Sequence, residues 1–309
     1  MKKCIWGIIY GILLTAFTVY VMLDTFVITC VYTVVPPDEE GSSSIVLDGK
    51  NNENNLSETA PPETTITRTD TSYSDGNISI TLTEYREHNT TIYVADVQVS
   101  SAEYLKTAFA KSAYGKNVTD KTSGIAEDAG AILAINGDYY GAREKGYVIR
   151  NGVLYRSTSS SGQEDLVIYK DGSFDIITEK SVSAQSLLDA GAQQVLSFGP
   201  ALIIDCKVSV TEDEEVGKAM SSNPRTAIGI IDDLHYVLVV SDGRTGASEG
   251  LSLRELAEFM QSLDVDIAYN LDGGGSSTMV FNGKVINNPT TNGKSIKERS
   301  VSDIVYIGY

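Results

Sequence analysis

The sequence predicts an α+β domain of mixed, largely antiparallel twisted sheets with a few short helices, preceded by an N-terminal transmembrane helix. Residues 77–84 and 91–99 are β-rich and alternate between apolar and polar positions, as half-buried strands do. Asp-Gly and Asn-Gly pairs between such segments are typical of hairpin turns. The helical patterns are few and do not alternate regularly with strands, which favours α+β over a repeated βαβ array.

Residues 1–35 predict a membrane anchor. Lys2 and Lys3 precede an uncharged run over residues 4–23, and about 20 such residues suffice to cross a bilayer. The two lysines favour a cytoplasmic N-terminus with everything after the span outside. No small-residue cleavage motif follows, which favours an uncleaved signal anchor over a removed signal peptide. A lipoprotein cysteine at Cys30 is the alternative, and Asp24 within the apolar region argues against it.

Residues 36–72 are predicted to form a disordered stalk, and residues 73–309 one compact domain. The stalk is rich in Pro, Ser, Thr, Asn and acidic residues and holds few large apolar side chains, so it cannot bury enough surface to fold. The expected organisation is a single-pass protein of the cell membrane with an extracellular C-terminal domain. The short N-terminus with two lysines and the unpaired cysteines favour a Gram-positive bacterium as the source.

Charge and cysteine content exclude several classes of protein. A formal net charge of −17 argues against a nucleic-acid binder, which would present a basic face. The three cysteines (Cys4, Cys30 and Cys206) exclude a disulfide scaffold and argue against a metal–thiolate site. The two histidines, His88 and His235, leave little for a catalytic triad or a zinc site. Carboxylates, arginines and backbone amides remain as the available chemistry.

The domain is predicted to contain the following elements in chain order. They are strands at 77–84 and 91–99, a short helix at 101–111, a helix at 123–130, the strand "AILAI", a hairpin at 164–177, the helix "AQSLLDAGAQ", the strand "VLSFGPALII" with a Gly-Pro break, strands at 223–232 and 235–244, a helix from the capping box Ser252/Glu255 to about Leu263, a strand at 266–271, a hairpin around Asn282–Gly283 and a closing strand in "ERSVSDIVYIGY".

Three of these strands end on polar clusters, which predicts a site on loops at strand ends. The clusters contain Asn136 with Asp138, Asp242 with Arg244, and Asn270 with Asp272. An Asp-Gly pair after a strand is also a common ordinary turn.

Three consecutive glycines, Gly273, Gly274 and Gly275, follow Asp272 and precede Ser276 and Ser277. Such a run indicates a backbone that takes positive φ or lies close against another group. One interpretation is a nest of amides that binds an anion, with the serine hydroxyls as further donors. A tight turn with close packing is the equal alternative. The spacing of a nucleotide-binding glycine loop is absent.

Five motifs occur together in one order. They are "AINGDYY" (134–140), "NPRTAIGI" (223–230), "SDGR" (241–244), "LSLRELAEFMQSLDVDIAYNLDGGGSSTMVFNGKVIN" (251–287) and "ERSVSDIVYIG" (298–308). This set resembles the phosphodiester glycosidase family over residues 123–309. The resemblance implies hydrolysis of a sugar, of the N-acetylglucosamine type, from a sugar-1-phosphodiester, and its bacterial members are related to exopolysaccharide or cell wall. Where the family often has "NGGFF", this chain has Asp138 after Asn136-Gly137.

The residues in these motifs define the expected site. Asp272 is the first choice for a carboxylate that acts on the anomeric carbon, as nucleophile or as base, and Asp138 is the second. A guanidinium can grip phosphate bidentately, so arginines are expected to bind it. The predicted substrate- and phosphate-binding set is Arg225, Arg299, Arg244, Asn136, Asn270, Gly273, Gly274, Gly275, Ser276, Ser277, Asp242 and Glu298. Tyr139 and Tyr140 are candidates for stacking on a sugar.

Two questions stay open at the level of sequence. A divalent cation held by Asp138, Asp242 and Asp272 is conceivable, but no ligand spacing supports it, and no other cofactor is expected. The predicted function is that of a membrane-anchored extracellular hydrolase that acts on phosphate-containing glycans. The alternatives are a non-catalytic polymer-binding envelope protein and a glycosyl transferase that uses the same pocket.

Overall fold

A computed structural model describes residues 2–32, 66–212 and 222–309. Most of the predicted stalk therefore lies outside the described residues. Within them, the α-helices are α1 Lys2–Phe26, α2 Thr122–Asp128, α3 Ala184–Asp189 and α4 Leu253–Ser262. The strands are β1 Cys30–Val31, β2 Thr67–Arg68, β3 Ser72–Ser74, β4 Ile78–Glu87, β5 Thr90–Val99, β6 Leu105–Phe109, β7 Gly115–Lys116, β8 Asp120–Lys121, β9 Leu133–Asn136, β10 Val148–Arg150, β11 Val153–Arg156, β12 Glu164–Tyr169, β13 Phe174–Thr178, β14 Ala192–Leu196, β15 Ala201–Ile204, β16 Lys207–Val208, β17 Thr226–Asp232, β18 His235–Ser241, β19 Ile267–Asn270, β20 Met279–Phe281, β21 Lys284–Val285, β22 Ser300–Val301 and β23 Asp303–Ile307.

Three large sheets form the domain. A nine-stranded sheet has the order β16-β15-β19-β17-β18-β5-β4-β3-β2, and two five-stranded sheets have the orders β21-β20-β9-β23-β6 and β11-β10-β14-β12-β13. Short two-stranded pairs join β1 to β7 and β22 to β8. The pairings between neighbouring strands are antiparallel, as in β4–β5, β17–β19 and β9–β23. The predicted α+β class with largely antiparallel sheets is confirmed.

The three sheets share one hydrophobic core. Val97 from the nine-stranded sheet, Ile135 from β9 and Leu166 from β12 all belong to it. Each sheet is covered on its other face by a helix. Apolar side chains at helical spacing, such as Leu256 and Met260 of α4, bury against the nine-stranded sheet, and α2 and α3 do the same for the two smaller sheets.

Two strands in different sheets end next to each other, and this brings the polar clusters together. In the nine-stranded sheet, β19 pairs with β17, with Asn270 opposite Ala227. In the β9 sheet, Asn136 is opposite Ile304. The chain after β19 then contacts the chain after β9, where the amide of Asp272 donates to the carbonyl of Gly137 at 3.3 Å.

Two segments differ from the sequence predictions. The predicted helix at 101–111 is wrong. Its centre is strand β6, because Leu105 and Thr107 alternate inward and the segment pairs with β23. The predicted stalk extended to Ser72, but β2 and β3 are already strands at the edge of the nine-stranded sheet, held there by the buried Tyr73. The capping box at the start of α4 is present, with Ser252 and Glu255 bonding each other's backbone amides.

Helix α1 contains an 18-residue window, Ile9–Phe26, with a mean hydropathy of 1.6 and none of its residues buried. By length and composition it is sufficient to cross a membrane. A signal sequence near an N-terminus has the same properties.

Candidate functional site

A cavity of about 680 Å³ opens where the chain leaves β19 and enters β17. Its lining includes seven of the predicted site residues, namely Arg225, Arg244, Asn270, Asp272, Gly273, Gly274 and Arg299. With Arg143, which also lines it, the cavity combines one carboxylate with four guanidinium groups. That pairing suits a substrate that carries a negative charge beside a reactive carbon.

Asp272 is the carboxylate that faces this cavity. Its Oδ2 accepts hydrogen bonds from Ser276 Oγ at 2.6 Å and from Arg299 Nη2 at 3.0 Å. Both donors contact the same oxygen, which leaves accepting capacity on Oδ1. Burial raises the pKa of Asp272 above its ordinary range, while the charge of Arg299 and the hydrogen bond from Ser276 act in the opposite direction. A carboxylate with a raised pKa is a stronger base once it is ionised.

The three predicted arginines carry positive charge into one cavity. Arg225 is buried, and its Nε donates to the carbonyl of Leu251 at 2.8 Å. Arg244 is fixed by Asn223, whose Oδ1 accepts from Nη2 at 2.8 Å, and by the carbonyl of Thr291. Burial and the positive charges of Arg299 and Arg225 lower the pKa of Arg244. Such mutual repulsion is relieved when an anion binds between the groups.

The three glycines serve close packing more than an amide nest. Gly274 has φ +61°, and its amide donates to the carbonyl of Pro224 at 2.8 Å. A Cβ on Gly274 would lie 2.8 Å from Arg244 Nη2, and one on Gly275 would lie 2.4 Å from Thr291 Oγ1. The amides of Ser276 and Ser277 donate to backbone carbonyls within the same turn. Since these amides donate inside the protein, the groups that offer positive charge to the cavity are the guanidinium groups of its lining.

Of the two serines after the glycines, only Ser276 contacts the reactive groups. Besides Asp272, its Oγ accepts from Arg299 Nε at 2.9 Å. Ser277 is buried below the turn, and its carbonyl accepts from Asn287.

The two predicted asparagines have different positions. Asn136 holds the loops together, because its Nδ2 donates to the carbonyl of Asp272 at 2.6 Å and its Oδ1 accepts from Thr226 Oγ1 at 2.9 Å. Asn270 lines the cavity, and its Nδ2 donates to the carbonyl of Gly199 at 2.7 Å. Its buried Oδ1 has no hydrogen-bond partner among the described residues. Because a buried acceptor without a partner is costly, Asn270 Oδ1 is a strong candidate to accept from a substrate hydroxyl or amide.

Asp138 lies behind the cavity in an ion-pair network. Its Oδ2 accepts from Arg150 Nη2 at 2.8 Å and from the amide of Ser197 at 2.9 Å, and its Oδ1 accepts from the amide of Tyr140 at 2.9 Å. Arg150 also binds Asp303 Oδ2 at 2.8 Å, and these three charged side chains are almost completely buried. Asp138 is predicted as the second catalytic carboxylate, and in the structure both of its oxygens accept hydrogen bonds from the protein.

Two further predicted residues lie away from the cavity lining. Asp242 accepts from the amide of Asn288 at 2.8 Å and from its side chain at 2.9 Å, so it fixes the loop after β21. Glu298 accepts from the amide and the hydroxyl of Ser123 at 2.9 and 2.7 Å, which caps the start of α2. Both carboxylates therefore hold loops in place. Among the described residues, no three acidic, histidine or cysteine side chains converge as cation ligands, and Asp138, Asp242 and Asp272 do not form a common site.

Five lining residues are not part of the predicted binding set, namely Tyr139, Arg143, Phe198, Asn223 and Leu271. Tyr139 is 45% exposed, whereas Tyr140 is buried in an aromatic cluster. Arg143 lies over the ring of Phe198, with Cζ 5.2 Å from the ring centroid, and its Nη1 donates to the carbonyl of Ser197 at 2.8 Å. The sequence offers no signal for Arg143 or Phe198, because both reach the cavity through folding of distant loops.

A family model described as phosphodiester glycosidase matches residues 129–308. The SPbeta prophage-derived uncharacterized protein YomE of Bacillus subtilis is 30% identical over 205 residues, which cover 64% of this chain and 31% of that protein. The N-acetylglucosamine-1-phosphodiester alpha-N-acetylglucosaminidase of Mus musculus is 30% identical over 179 residues, which cover 52% of this chain and 34% of that protein. The chain thus spans about a third of the length of these curated relatives.

Solved structures share the fold. The zebrafish N-acetylglucosamine-1-phosphodiester alpha-N-acetylglucosaminidase catalytic domain, auto-inhibited by its pro-peptide, aligns with a TM-score of 0.60 at 21% identity, over 75% of this chain and 83% of that chain. A hypothetical protein from Synechocystis aligns with a TM-score of 0.55 at 15% identity, over 81% of this chain and 64% of that chain. With the family model covering more than half of the 309 residues, the chain belongs to the phosphodiester glycosidase family.

Proposed function

We propose that this protein hydrolyses a sugar-1-phosphodiester and releases the free sugar on the outer side of a cell membrane. The observation that carries the proposal is the position of Asp272, in one cavity with Arg225, Arg244 and Arg299. Hydrolysis of a glycosyl phosphodiester requires a carboxylate beside cationic groups, because the carboxylate acts at the anomeric carbon while the cations bind the adjacent phosphate.

The proposed reaction breaks the bond between C1 of the sugar and the bridging phosphate oxygen. Water supplies the new oxygen on C1, and Asp272 acts as the base that takes its proton or as the nucleophile of a two-step route. The electron pair of the broken bond goes to the phosphate oxygen, which leaves as a phosphomonoester. That group is a good leaving group, so a strong general acid on the leaving-group side is not required.

The arginines have a second role in this scheme. The departing phosphomonoester gains negative charge, and guanidinium groups stabilise that charge more in the transition state than in the substrate. Arg299 also contacts Asp272 Oδ2, so its charge opposes protonation of the carboxylate while it binds the phosphate. Asp138 would act indirectly, by holding the loop after β9 to which the Asp272 segment is bonded.

The sugar is proposed to bind against Tyr139 and Phe198. Aromatic rings at a cavity offer apolar faces to a pyranose ring, and Asn270 Oδ1 offers an acceptor beside them. An N-acetylglucosamine-like sugar is proposed because the mouse relative is named for that sugar. The natural source of the substrate is proposed to be exopolysaccharide or cell-wall material, with α1 as an uncleaved anchor.

The test is sugar release by the purified full-length chain in detergent. UDP-N-acetylglucosamine and a methyl phosphodiester of N-acetylglucosamine-1-phosphate serve as substrates, and free sugar is quantified by mass spectrometry. Asp272→Asn is expected to reduce release by at least about a thousandfold, since an amide is neither base nor nucleophile. Because the substitution removes a buried carboxylate, the midpoint temperature of thermal unfolding should be no lower for Asp272→Asn than for the parent.

Three outcomes would contradict the proposal. Equal release by the parent and by Asp272→Asn would place the chemistry elsewhere. No release by the parent, with phosphate-containing glycan still bound, would favour the non-catalytic binding protein. Transfer of the sugar to an added alcohol in preference to water would identify a transferase instead.

A further inference from the structure

The C-terminal end of α1 is fixed to the domain by side-chain contacts. Asn117 is the central residue, with its Nδ2 3.2 Å from the carbonyl oxygen of Thr25 and 3.0 Å from that of Ile28. Lys116 Nζ lies 3.4 Å from Asp24 Oδ2. These contacts satisfy carbonyls that the end of a helix would otherwise leave without a donor.

The segment after α1 is also bonded to the domain. Strand β1 pairs with β7, with Cys30 opposite Lys116. The amide of Tyr32 then donates to the carbonyl of Tyr114 at 2.9 Å, and the two rings lie 5.6 Å apart. The described part of the chain between α1 and residue 32 is therefore docked on the domain and holds the helix end in one place.

The docked helix end forms one wall of a recess beside the candidate site. This recess has a volume of about 290 Å³. Thr25 and Phe26 line it on one side, and Asp138, Asp272 and Arg299 line it on the other. The carboxylate and one guanidinium group of the candidate site thus face both the main cavity and the end of the apolar helix.

The length of α1 sets the height of this recess above a bilayer. The apolar window Ile9–Phe26 has 18 residues, which at about 1.5 Å per residue rise about 27 Å. That length is close to the hydrocarbon thickness of about 30 Å. With this window across the membrane, Phe26 lies at the outer boundary of the hydrocarbon and the recess lies at headgroup level.

The surface around the recess suits that position. Phe26, Val27, Val31, Tyr32 and Tyr139 all have at least 45% of their surface exposed. Aromatic residues are enriched at the membrane interface, where one end of the ring is apolar and the other is wet.

We propose that the substrate is lipid-linked, a glycosyl phosphodiester whose phosphate carries an apolar chain embedded in the bilayer. This inference rests on the proposed function and names its substrate class. The apolar chain stays in the membrane along α1, the phosphate lies by Arg299, and the sugar enters the main cavity. Hydrolysis breaks the C1–O bond, adds the oxygen of water to C1, and leaves a lipid phosphomonoester in the bilayer. A net charge of −17 disfavours electrostatic capture of a soluble polyanion, and a membrane-held substrate needs no such capture.

The experiment compares two substrates that differ only in the alcohol of the phosphodiester. The full-length chain is reconstituted into phosphatidylcholine vesicles and given N-acetylglucosamine-1-phosphate as its methyl ester or as its hexadecyl ester. The expected kcat/KM is at least tenfold higher for the hexadecyl ester. Equal values, or release from the methyl ester alone, would overturn the inference while leaving the proposed function intact. Release from neither would refute both.

A variant distinguishes two causes of a preference for the hexadecyl ester: the docking of the end of α1 on the domain, and simple enrichment of that ester in the membrane. Asn117→Gly keeps the positive φ of 57° but removes the hydrogen bonds of the Asn117 side chain to the end of α1. It is expected to lose at least fivefold in rate on the hexadecyl ester and to keep the rate on the methyl ester. Asn282→Gly is the matched control, because Asn282 also has positive φ and donates to a backbone carbonyl, that of Thr69. An unchanged preference in Asn117→Gly would show enrichment alone and overturn the inference.

Discussion

Strands β9 and β19 each end on an asparagine that is followed two residues later by an aspartate, yet the two aspartates have opposite environments. Asp272 after β19 faces a cavity and has one ion-pair partner, Arg299, whose side chain is 41% exposed. Asp138 after β9 has a fully buried side chain and shares the buried Arg150 with Asp303. The same local sequence pattern therefore gives one carboxylate that is available to a substrate and one that is saturated by donors.

The difference shows how this fold supports a reactive carboxylate. Asn136, from the β9 loop, bonds the carbonyl of Asp272, and the Asp138 network fixes the β9 loop in turn. Burial raises the pKa of Asp303, with the charge of Asp138 adding to it and Arg150 opposing it. The buried cluster of Asp138, Arg150 and Asp303 thus holds the loop after β9, and that loop in turn supports the Asp272 segment that faces the cavity.

Among the substitutions that test the contrast between Asp272 and Asp138, Asp138→Asn is expected to have the largest effect. The change replaces one carboxylate oxygen by an NH2 group, which then faces a buried donor, either the amide of Tyr140 or Arg150 with the amide of Ser197, and a buried donor without an acceptor costs about 1–3 kcal/mol, more when it is charged. The midpoint temperature of thermal unfolding, measured on the detergent-solubilised chain, should therefore be strongly lowered by Asp138→Asn. Asp272→Asn should not lower it. If Asp138→Asn unfolds like the parent and still loses activity, Asp138 takes part in the chemistry and the contrast fails.

A smaller effect is expected from Asp165, a third buried acid near the interior cluster. Burial, with the charge of Glu179 as the second cause, raises the pKa of Asp165 to about 9. Between the ordinary pKa near 4 and this value only the unfolded state releases the proton, so stability falls as pH rises through that window. One such group contributes up to about 1.4 kcal/mol per pH unit.

Asp165→Asn removes this dependence. From pH 5 to pH 7 the unfolding free energy of the parent is expected to fall by about 2 kcal/mol more than that of Asp165→Asn. Urea titration at each pH measures both values. Asp175→Asn, at an exposed position of the neighbouring strand β13, is the control and should keep the slope of the parent. An identical slope in Asp165→Asn would mean that Asp165 is ionised in the folded state.

The smallest effect is expected from Arg299, because its side chain is partly exposed. Arg299→Ala should lower kcat/KM by about tenfold, since three other arginines remain in the cavity. Arg299 lowers the pKa of Asp272, so its loss should move the acidic limb of the kcat/KM profile to higher pH. Arg299→Lys should restore part of that shift, and Arg254→Ala on the exposed face of α4 should change neither quantity. A lower rate with an unmoved acidic limb would separate Arg299 from Asp272.

Sequence alone determined the class of the fold and the central residues of the site. Alternating β-rich segments predicted the antiparallel sheets, because strand periodicity is a local property of neighbouring residues. The capping box at Ser252 and Glu255 predicted the start of α4 for the same reason. Asp272, Arg225, Arg244 and Arg299 were selected from motifs, and the fold brings all four to one cavity.

Tertiary structure decided which carboxylates are engaged and what the glycines do. Asp138 is held by Arg150 and by the amide of Ser197, and Asp242 is held by Asn288; strand periodicity cannot reveal those contacts. Gly274 and Gly275 are required by the close approach of Arg244 and Thr291, so their role depends on loops that meet only in the folded domain. Local sequence sets which elements form, whereas long-range packing sets the neighbours of each charge, and those neighbours determine its chemistry.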